Sequence, residues 1–198
     1  MPIDDKYIPF DRIMRRRRRR YYRESAERTE NDTLDRLNWI CWFVNKIAIV
    51  LQIAVVVVII AIFIGMGLSI VFQDTLLSLL GPDFALGQLL TQCITGICVG
   101  VVALLVLHHV GRLSMNIYKN NTPFTKENVL HLEMIAIVTI IGAFAVPIAS
   151  TISAYALDAP GAAYPFNILL LFTGLLVYFM SLIFRYGTAL QKESDETL

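Results

Sequence analysis

Residues 47–72 read IAIVLQIAVVVVIIAIFIGMGLSIVF, and in this run of 26 residues Gln52 is the only strongly polar side chain. A helix needs about 20 apolar residues to cross a hydrocarbon core of about 30 Å, so the run can span a membrane with some tilt. The β-branched residues 55–60 favour a strand in water. In lipid, however, the backbone has to satisfy its own hydrogen bonds, and this favours a helix. The stretch therefore predicts a transmembrane helix.

Three further apolar runs follow, at about residues 86–110, 132–157 and 165–184. None of them contains Lys or Arg, and Glu133, at the entry of the third span, is their only acidic residue. The whole chain is 56% hydrophobic and 17% charged, against about 45–50% and 25% in a soluble domain. The sequence therefore predicts an all-α integral membrane four-helix bundle in a transmembrane domain of residues 47–184.

The distribution of basic residues predicts the orientation of these spans. Twelve of the 17 Lys and Arg precede Ile47, and the others lie in the second loop, residues 111–131, or in the tail, residues 185–198. The first loop, residues 73–85, and the third, residues 158–164, contain none. Since cytoplasmic segments carry the excess of Lys and Arg, both termini are expected in the cytoplasm.

The chain begins with a basic cytoplasmic segment. We expect residues 1–32 to be a flexible head and residues 33–46 to be an amphipathic, interfacial lead-in to the first span. Each basic residue near an anionic leaflet contributes about 1 kcal/mol of attraction, so the head is expected to contact anionic lipid headgroups. A protein partner stays open as an alternative, and direct binding of nucleic acid is the least favoured. The predicted lipid contacts are Arg15, Arg16, Arg17, Arg18, Arg19 and Arg20.

Small residues predict close helix packing in the second and third spans. Gly96 and Gly100 form a GxxxG pattern, which lets two helices approach closely, either within one chain or in a homo-oligomer. We expect a close contact between the second and third spans, because the third span has a second small-residue ridge at Ala145 and Ala149. Pro147 lies between them and is expected to kink the third span, because it removes one helical hydrogen bond.

The polar residues of the spans do not form a recognisable catalytic or metal site. His108 and His109 point about 100° apart on a helix, which is poor geometry for metal ligands, although a pH-sensing cluster with His131 stays open. No charged residue lies at the centre of a span, where ion-coupled transporters usually place one. The sequence has no Walker, HExxH or GxSxG motif. We therefore predict no catalytic residue, cofactor or metal ligand, and no enzyme activity.

The most patterned sequence lies in the second loop and the tail. The segment NNTPFTKENVLHLEMI, residues 120–135, predicts a helix that begins near Lys126, with Thr125 as N-cap, Asn128 at N3 and Glu127 in the first turn. The tail FRYGTALQKESDETL, residues 184–198, contains Gly187, which either breaks the helix or lets it pack closely on a neighbour.

These two segments resemble the PFTxENVxxLxxI and FxxGxxLQxExDxT motifs of the bacterial membrane-protein family catalogued as domain of unknown function 2975. The resemblance covers about residues 45–198 and leaves the arginine-rich head outside. It implies a four-span membrane protein of unestablished function and a partnership with a small helix-turn-helix regulator. The matching residues are Pro123, Phe124, Thr125, Glu127, Asn128, Val129 and Leu132, then Phe184, Gly187, Leu190, Gln191, Glu193, Asp195 and Thr197.

The position of these motifs leads to a hypothesis about function. Both lie on the expected cytoplasmic side. The first and third loops, on the opposite side, are short and carry no comparable motif. We therefore expect a non-catalytic regulatory or interaction protein that acts through its cytoplasmic face, and the alternative is a small transporter or channel subunit acting as an oligomer. The predicted partner contacts are Pro123, Phe124, Thr125, Glu127, Asn128, Gly187, Leu190, Gln191, Glu193 and Asp195.

Overall fold

The computed structural model describes residues 10–73, 75 and 86–196, with side chains from residue 33 onward except that of Asp195. Within these ranges the chain is all-α and has no strand, which confirms the predicted fold class. The helices are α1 (Phe10–Val71), α2 (Leu86–Asn120), α3 (Lys126–Ala156) and α4 (Ile168–Glu196), with a short 3₁₀-helix at Pro160–Ala162 before α4.

In the described part of the chain, four helical segments are long and apolar enough to cross a membrane, so the protein is a multi-pass membrane protein. The helices continue beyond the apolar runs: α2 extends past residue 110 to Asn120, and α4 extends past residue 184 to Glu196. Hydropathy marks only the part of a helix that lies in hydrocarbon, whereas the helix itself ends where the backbone turns. In the described part of the chain, the helical segments that contain the four spans are Thr33–Val71, Leu86–Asn120, Lys126–Ala156 and Ile168–Ser194.

The chain divides into two units, residues 1–40 and residues 41–198. In the first unit the described backbone, from Phe10 onward, is helical. Arg15–Arg20 belong to this helix, but their side chains lie outside the described part of the structure. Their contact with anionic lipid and the flexibility of the head therefore stay predictions.

In the second unit α3 packs between α2 and α4. Glycines allow both contacts to be close. A Cβ on Gly142 of α3 would lie 2.8 Å from Cγ1 of Val102 on α2. A Cβ on Gly174 of α4 would lie 2.7 Å from Cγ1 of Ile140 and 3.3 Å from the backbone oxygen of Ala136, both on α3. A larger side chain at either glycine would therefore push the helices apart.

The glycines of the GxxxG pattern pack against α1. A Cβ on Gly100 would lie 2.9 Å from the side chain of Ile59, and one on Gly96 would lie 3.2 Å from a neighbouring isoleucine of α1, Ile62. Ala145 of α3 is exposed and Ala149 is half-buried. The predicted close contact between the second and third spans is confirmed, since α2 and α3 pack together. The GxxxG glycines face α1 instead, whose branched side chains fill the groove that they leave open.

A buried polar contact joins α2, α3 and the segment before α4. Thr95 Oγ1 lies 2.9 Å from Ser150 Oγ, and Ser150 Oγ accepts a hydrogen bond of 2.7 Å from the backbone N–H of Tyr164. Ser150 is fully buried. Hydrogen bonds between helices in a membrane contribute about 0.6 kcal/mol on average and rarely more than about 2 kcal/mol. The contact therefore orients the three segments more than it stabilises them.

The orientation of the spans can be tested with single cysteines in a chain whose Cys41, Cys93 and Cys98 are replaced by serine. Gly161 lies in the 3₁₀-helix with open space around it, and Lys119 is exposed at the end of α2. Because the segments that contain Lys and Arg are predicted to lie on the side of Lys119, we expect a membrane-impermeant maleimide to label Gly161→Cys in intact cells. Lys119→Cys should react only after permeabilisation, and its labelling in intact cells would contradict the orientation.

Candidate functional site

The loop between α2 and α3 is closed by local backbone contacts. Asn121 follows the last residue of α2 and has a φ of 52°, the left-handed conformation that Asn tolerates after a helix end. Thr125 then caps α3, because its Oγ1 accepts a hydrogen bond of 3.2 Å from the backbone N–H of Asn128. The predicted N-cap is confirmed, and α3 begins at Lys126 as expected.

Two amide side chains tie this loop to the ends of the helices. Asn128 is fully buried, and its Nδ2 donates a hydrogen bond of 2.9 Å to the backbone oxygen of Pro123. Asn116, near the end of α2, donates from Nδ2 to Glu127 Oε2 over 2.7 Å. The first contact holds the loop on α3, and the second holds α2 on the first turn of α3. We call residues 116–133 together with residues 184–196 the connector.

Aromatic packing joins the loop to α4. The ring centroids of Phe124 and Phe184 are 5.4 Å apart. A Cβ on Gly187 would lie 2.7 Å from two carbons of the Phe124 ring. The helix continues through Gly187, so this glycine is a close-packing site and does not break the helix. Phe124 of the PFTxENVxxLxxI motif therefore contacts both Phe184 and Gly187 of the FxxGxxLQxExDxT motif.

An ion pair makes a further link between α3 and α4. Arg185 donates from Nη2 to Glu133 Oε1. Glu133, the one acidic residue of the predicted spans, thus has a positively charged partner. The Glu133 side chain is mostly buried and that of Arg185 is largely exposed, so the pair lies at the edge of the helix contact. Because Arg185 is exposed to solvent, we expect a contribution to stability near that of other exposed ion pairs, about 0–1 kcal/mol.

The connector encloses a groove of about 800 Å³ between the start of α3 and the end of α4. Phe124 and Val129 belong to its apolar wall, and Lys126, Arg185 and Lys192 provide positive charge. Ligand sites in proteins typically have volumes of about 300–1,000 Å³. The groove is therefore large enough to hold a headgroup or a short segment of chain.

Most of the predicted partner contacts are engaged inside the connector. Phe124, Thr125, Glu127, Asn128 and Gly187 each pack against, cap or bond to another connector residue. The Pro123 carbonyl accepts from Asn128, and Thr122 Oγ1 lies 3.5 Å from Gln191 Oε1. Leu190 is 47% exposed, Glu193 is exposed, and the side chain of Asp195 lies outside the described residues. Most of these motif residues therefore make contacts within the connector, and Leu190 and Glu193 lie at its surface.

The structure brings His131 of α3 next to His109 of α2, whose sequence neighbour is His108. His109 Nδ1 of α2 and His131 Nδ1 of α3 are 3.2 Å apart, and the ring of His108 meets that of His109 edge-on. One Nδ1 donates to the other, so the pair is a further link between α2 and α3. Among the residues that the structure describes, no group of three or more His, Cys, Asp or Glu could hold a metal ion.

Residues 82–198 match the model of a family described as "Protein of unknown function (DUF2975)". The match covers more than half of the chain and includes α2, α3, α4 and the whole connector. It begins at residue 82, whereas the resemblance was expected from about residue 45, so the first span lies outside it. No curated protein and no solved structure matches the chain.

The contact between Phe124 and Gly187 predicts strong coupling between the two positions. Gly187→Ala should destabilise the protein by about 1–3 kcal/mol, because the ring is held by Phe184 and cannot move aside freely. In a Phe124→Ala background the same change should be nearly neutral, which gives a coupling energy of about 0.5–3 kcal/mol. Unfolding by SDS from mixed micelles measures both values.

Gly161→Ala is the matched control, since no atom lies within 4 Å of its added Cβ. If Gly187→Ala costs the same with and without the Phe124 ring, the proposed contact does not determine the stability of the connector.

Proposed function

We propose a function for this chain, which belongs to the DUF2975 family, a family of unknown function. The chain is a non-catalytic membrane protein that regulates or binds other proteins. Its connector is the binding region. The observation that supports this proposal is the assembly of two motifs about 60 residues apart into one folded surface, through Phe124, Phe184 and Gly187.

In this proposal the connector faces the cytoplasm of a bacterium and the spans lie in its inner membrane. The charge distribution supports this orientation, because every Lys and Arg lies on the connector side. A small helix-turn-helix regulator is the partner that the family resemblance implies. Such a partner would bring DNA close to the membrane without direct binding of nucleic acid by this chain.

The exposed end of α4 is the part of the connector best suited to a partner. Leu190 is 47% exposed, and Tyr186, one helical turn earlier, is also exposed. Lys192 and Glu193 follow on the same segment and are exposed. An apolar residue surrounded by charges is a typical centre for a small protein interface.

The connector can also transmit a signal to the spans. Asn116–Glu127 and His109–His131 join α2 to α3, and Arg185–Glu133 joins α3 to α4. A partner that displaces the end of α4 would therefore move α3. Pro147, inside α3, removes a helical hydrogen bond and is the position where the helix bends most easily.

Affinity capture from native membranes tests this proposal. We expect the intact protein to retain a stoichiometric partner after gentle solubilisation, identified by mass spectrometry. Leu190→Asp, or deletion of residues 193–198, should lower its recovery at least about tenfold, since truncating an interface centre costs about 2 kcal/mol or more. Gly161→Asp, at an exposed position outside the connector with open space around it, is the control and should keep the partner. Equal recovery from all four proteins, or no partner from any, would contradict the proposal.

A transporter or channel subunit is the second candidate, and one observation favours it. A cavity of about 410 Å³ lies beside Pro147, between α2, α3 and the start of α4. Tyr164 and Asn167 bring polar groups to it, and no charged side chain lines it among the described residues. The cavity would therefore suit a small neutral solute.

A flux measurement distinguishes this candidate from the first. If the cavity conducts a neutral solute, purified protein in liposomes should raise solute efflux, and Pro147→Ala should lower that efflux. Ile148→Ala, which changes an exposed neighbour on the same helix, should not. Efflux equal to that of empty liposomes would exclude a conducting role for the tested solutes.

A further inference from the structure

The groove of the connector carries an excess of positive charge. Lys126, Arg185 and Lys192 line it, and Glu133 is the only acidic residue in its described lining. Arg185 is paired with Glu133. Lys192 Nζ lies 3.4 Å from Glu196, but these side chains are 72% and 67% exposed, so their attraction is weak. The two lysines are therefore available to neutralise an anion in the groove.

A hydroxyl group adds a neutral donor to these charges. Thr125 lines the groove, and its Oγ1 accepts the capping hydrogen bond from Asn128. The cap uses a lone pair of this oxygen and leaves the O–H proton for another acceptor. Thr188 also lines the groove, but its O–H donates to the backbone oxygen of Phe184. An anionic oxygen between the lysines and Thr125 would thus receive charged and neutral hydrogen bonds.

The lining of the groove also has apolar residues, and one of them begins an apolar row along α3. Leu130 lines the groove and is 56% exposed. Met134, Ile137 and Ile141 are exposed and follow it at steps of four, three and four residues, so they form a row along one face of α3. This row belongs to a helix that spans the membrane, and hydrocarbon covers it there.

We propose that the groove binds an anionic phospholipid of the leaflet on the connector side. Its phosphate contacts Lys126, Lys192 and Thr125, and an acyl chain lies along the row that begins at Leu130. Basic pockets between transmembrane helices are known to bind anionic headgroups. A peptide segment would satisfy the charges but would leave the apolar row without a role, whereas a lipid uses both. This site is separate from the arginines of the head and does not depend on the protein partner proposed above.

Site-resolved photocrosslinking of the full-length protein tests this proposal. The protein is reconstituted in phosphatidylcholine vesicles that contain a small fraction of phosphatidylglycerol with a diazirine in its acyl chain, and adducts are mapped on peptides. We expect adducts on residues 129–141, and unlabelled phosphatidylglycerol should compete them away. Lys126→Gln with Lys192→Gln should reduce them about 25-fold, or about five-fold for each charge.

Lys119→Gln is the matched control, because Lys119 lies on the same side of the membrane but outside the groove. It should keep the adducts at the level of the unchanged protein. SDS unfolding checks that all variants are folded, which is expected since both substituted lysines are exposed. Leu190→Asp should also keep the adducts, so failure of the protein-partner proposal and failure of the lipid proposal give different results.

Three outcomes would overturn the proposal. The first is equal adduct formation in the double variant and in Lys119→Gln, which would mean that the groove charges do not select the lipid. The second is competition by glycerol phosphate as effective as that of the whole lipid, which would indicate a soluble phosphate ligand. The third is loss of a captured protein in the double variant with unchanged adducts, which would assign the groove to that protein.

Discussion

The close approach of α3 to α2 and α4 is the constraint on which the rest of this structure depends. In lipid the hydrophobic effect does not drive helices together, so contact has to come from packing and hydrogen bonds. Gly142 and Gly174 provide room for Val102 and Ile140, and Ser150 provides a buried hydroxyl for Thr95 and for the backbone of Tyr164. Because these contacts fix α3 on both sides, the loop before it and the end of α4 are brought to the same place.

The connector is the consequence of that placement. Once the start of α3 and the end of α4 are adjacent, Phe124 covers Gly187, and Glu133 pairs with Arg185. The same adjacency leaves a groove that both basic and apolar residues line. The family match covers all of these elements, so the connector belongs to the family region of the chain and not to the arginine-rich head. Its residues therefore form one folded surface through their contacts with each other, and they do not act as independent contact residues.

The features that sequence analysis predicted correctly are local ones. The N-cap at Thr125 depends on a single turn of backbone, from Thr125 to Asn128, and a helix-start pattern contains all the residues involved. The apolar runs predict spans because length and composition decide membrane insertion without reference to other helices. The choice between two roles for Gly187 was different, because it depends on whether a ring from a residue 63 positions earlier lies above it. No signal within the tail could have decided that choice.

The sequence by itself determined that the described part of this chain is all-α, that it has four helices able to span a membrane, and that one of them begins at Lys126. Only the tertiary structure decided that Gly96 and Gly100 face α1, that His109 meets His131, and that the two motifs share one groove. The physical reason is that helix formation in lipid is imposed on each segment separately by its own backbone. The choice of neighbour depends on the shapes of side chains distant in sequence, and small-residue patterns and apolar faces are compatible with several neighbours.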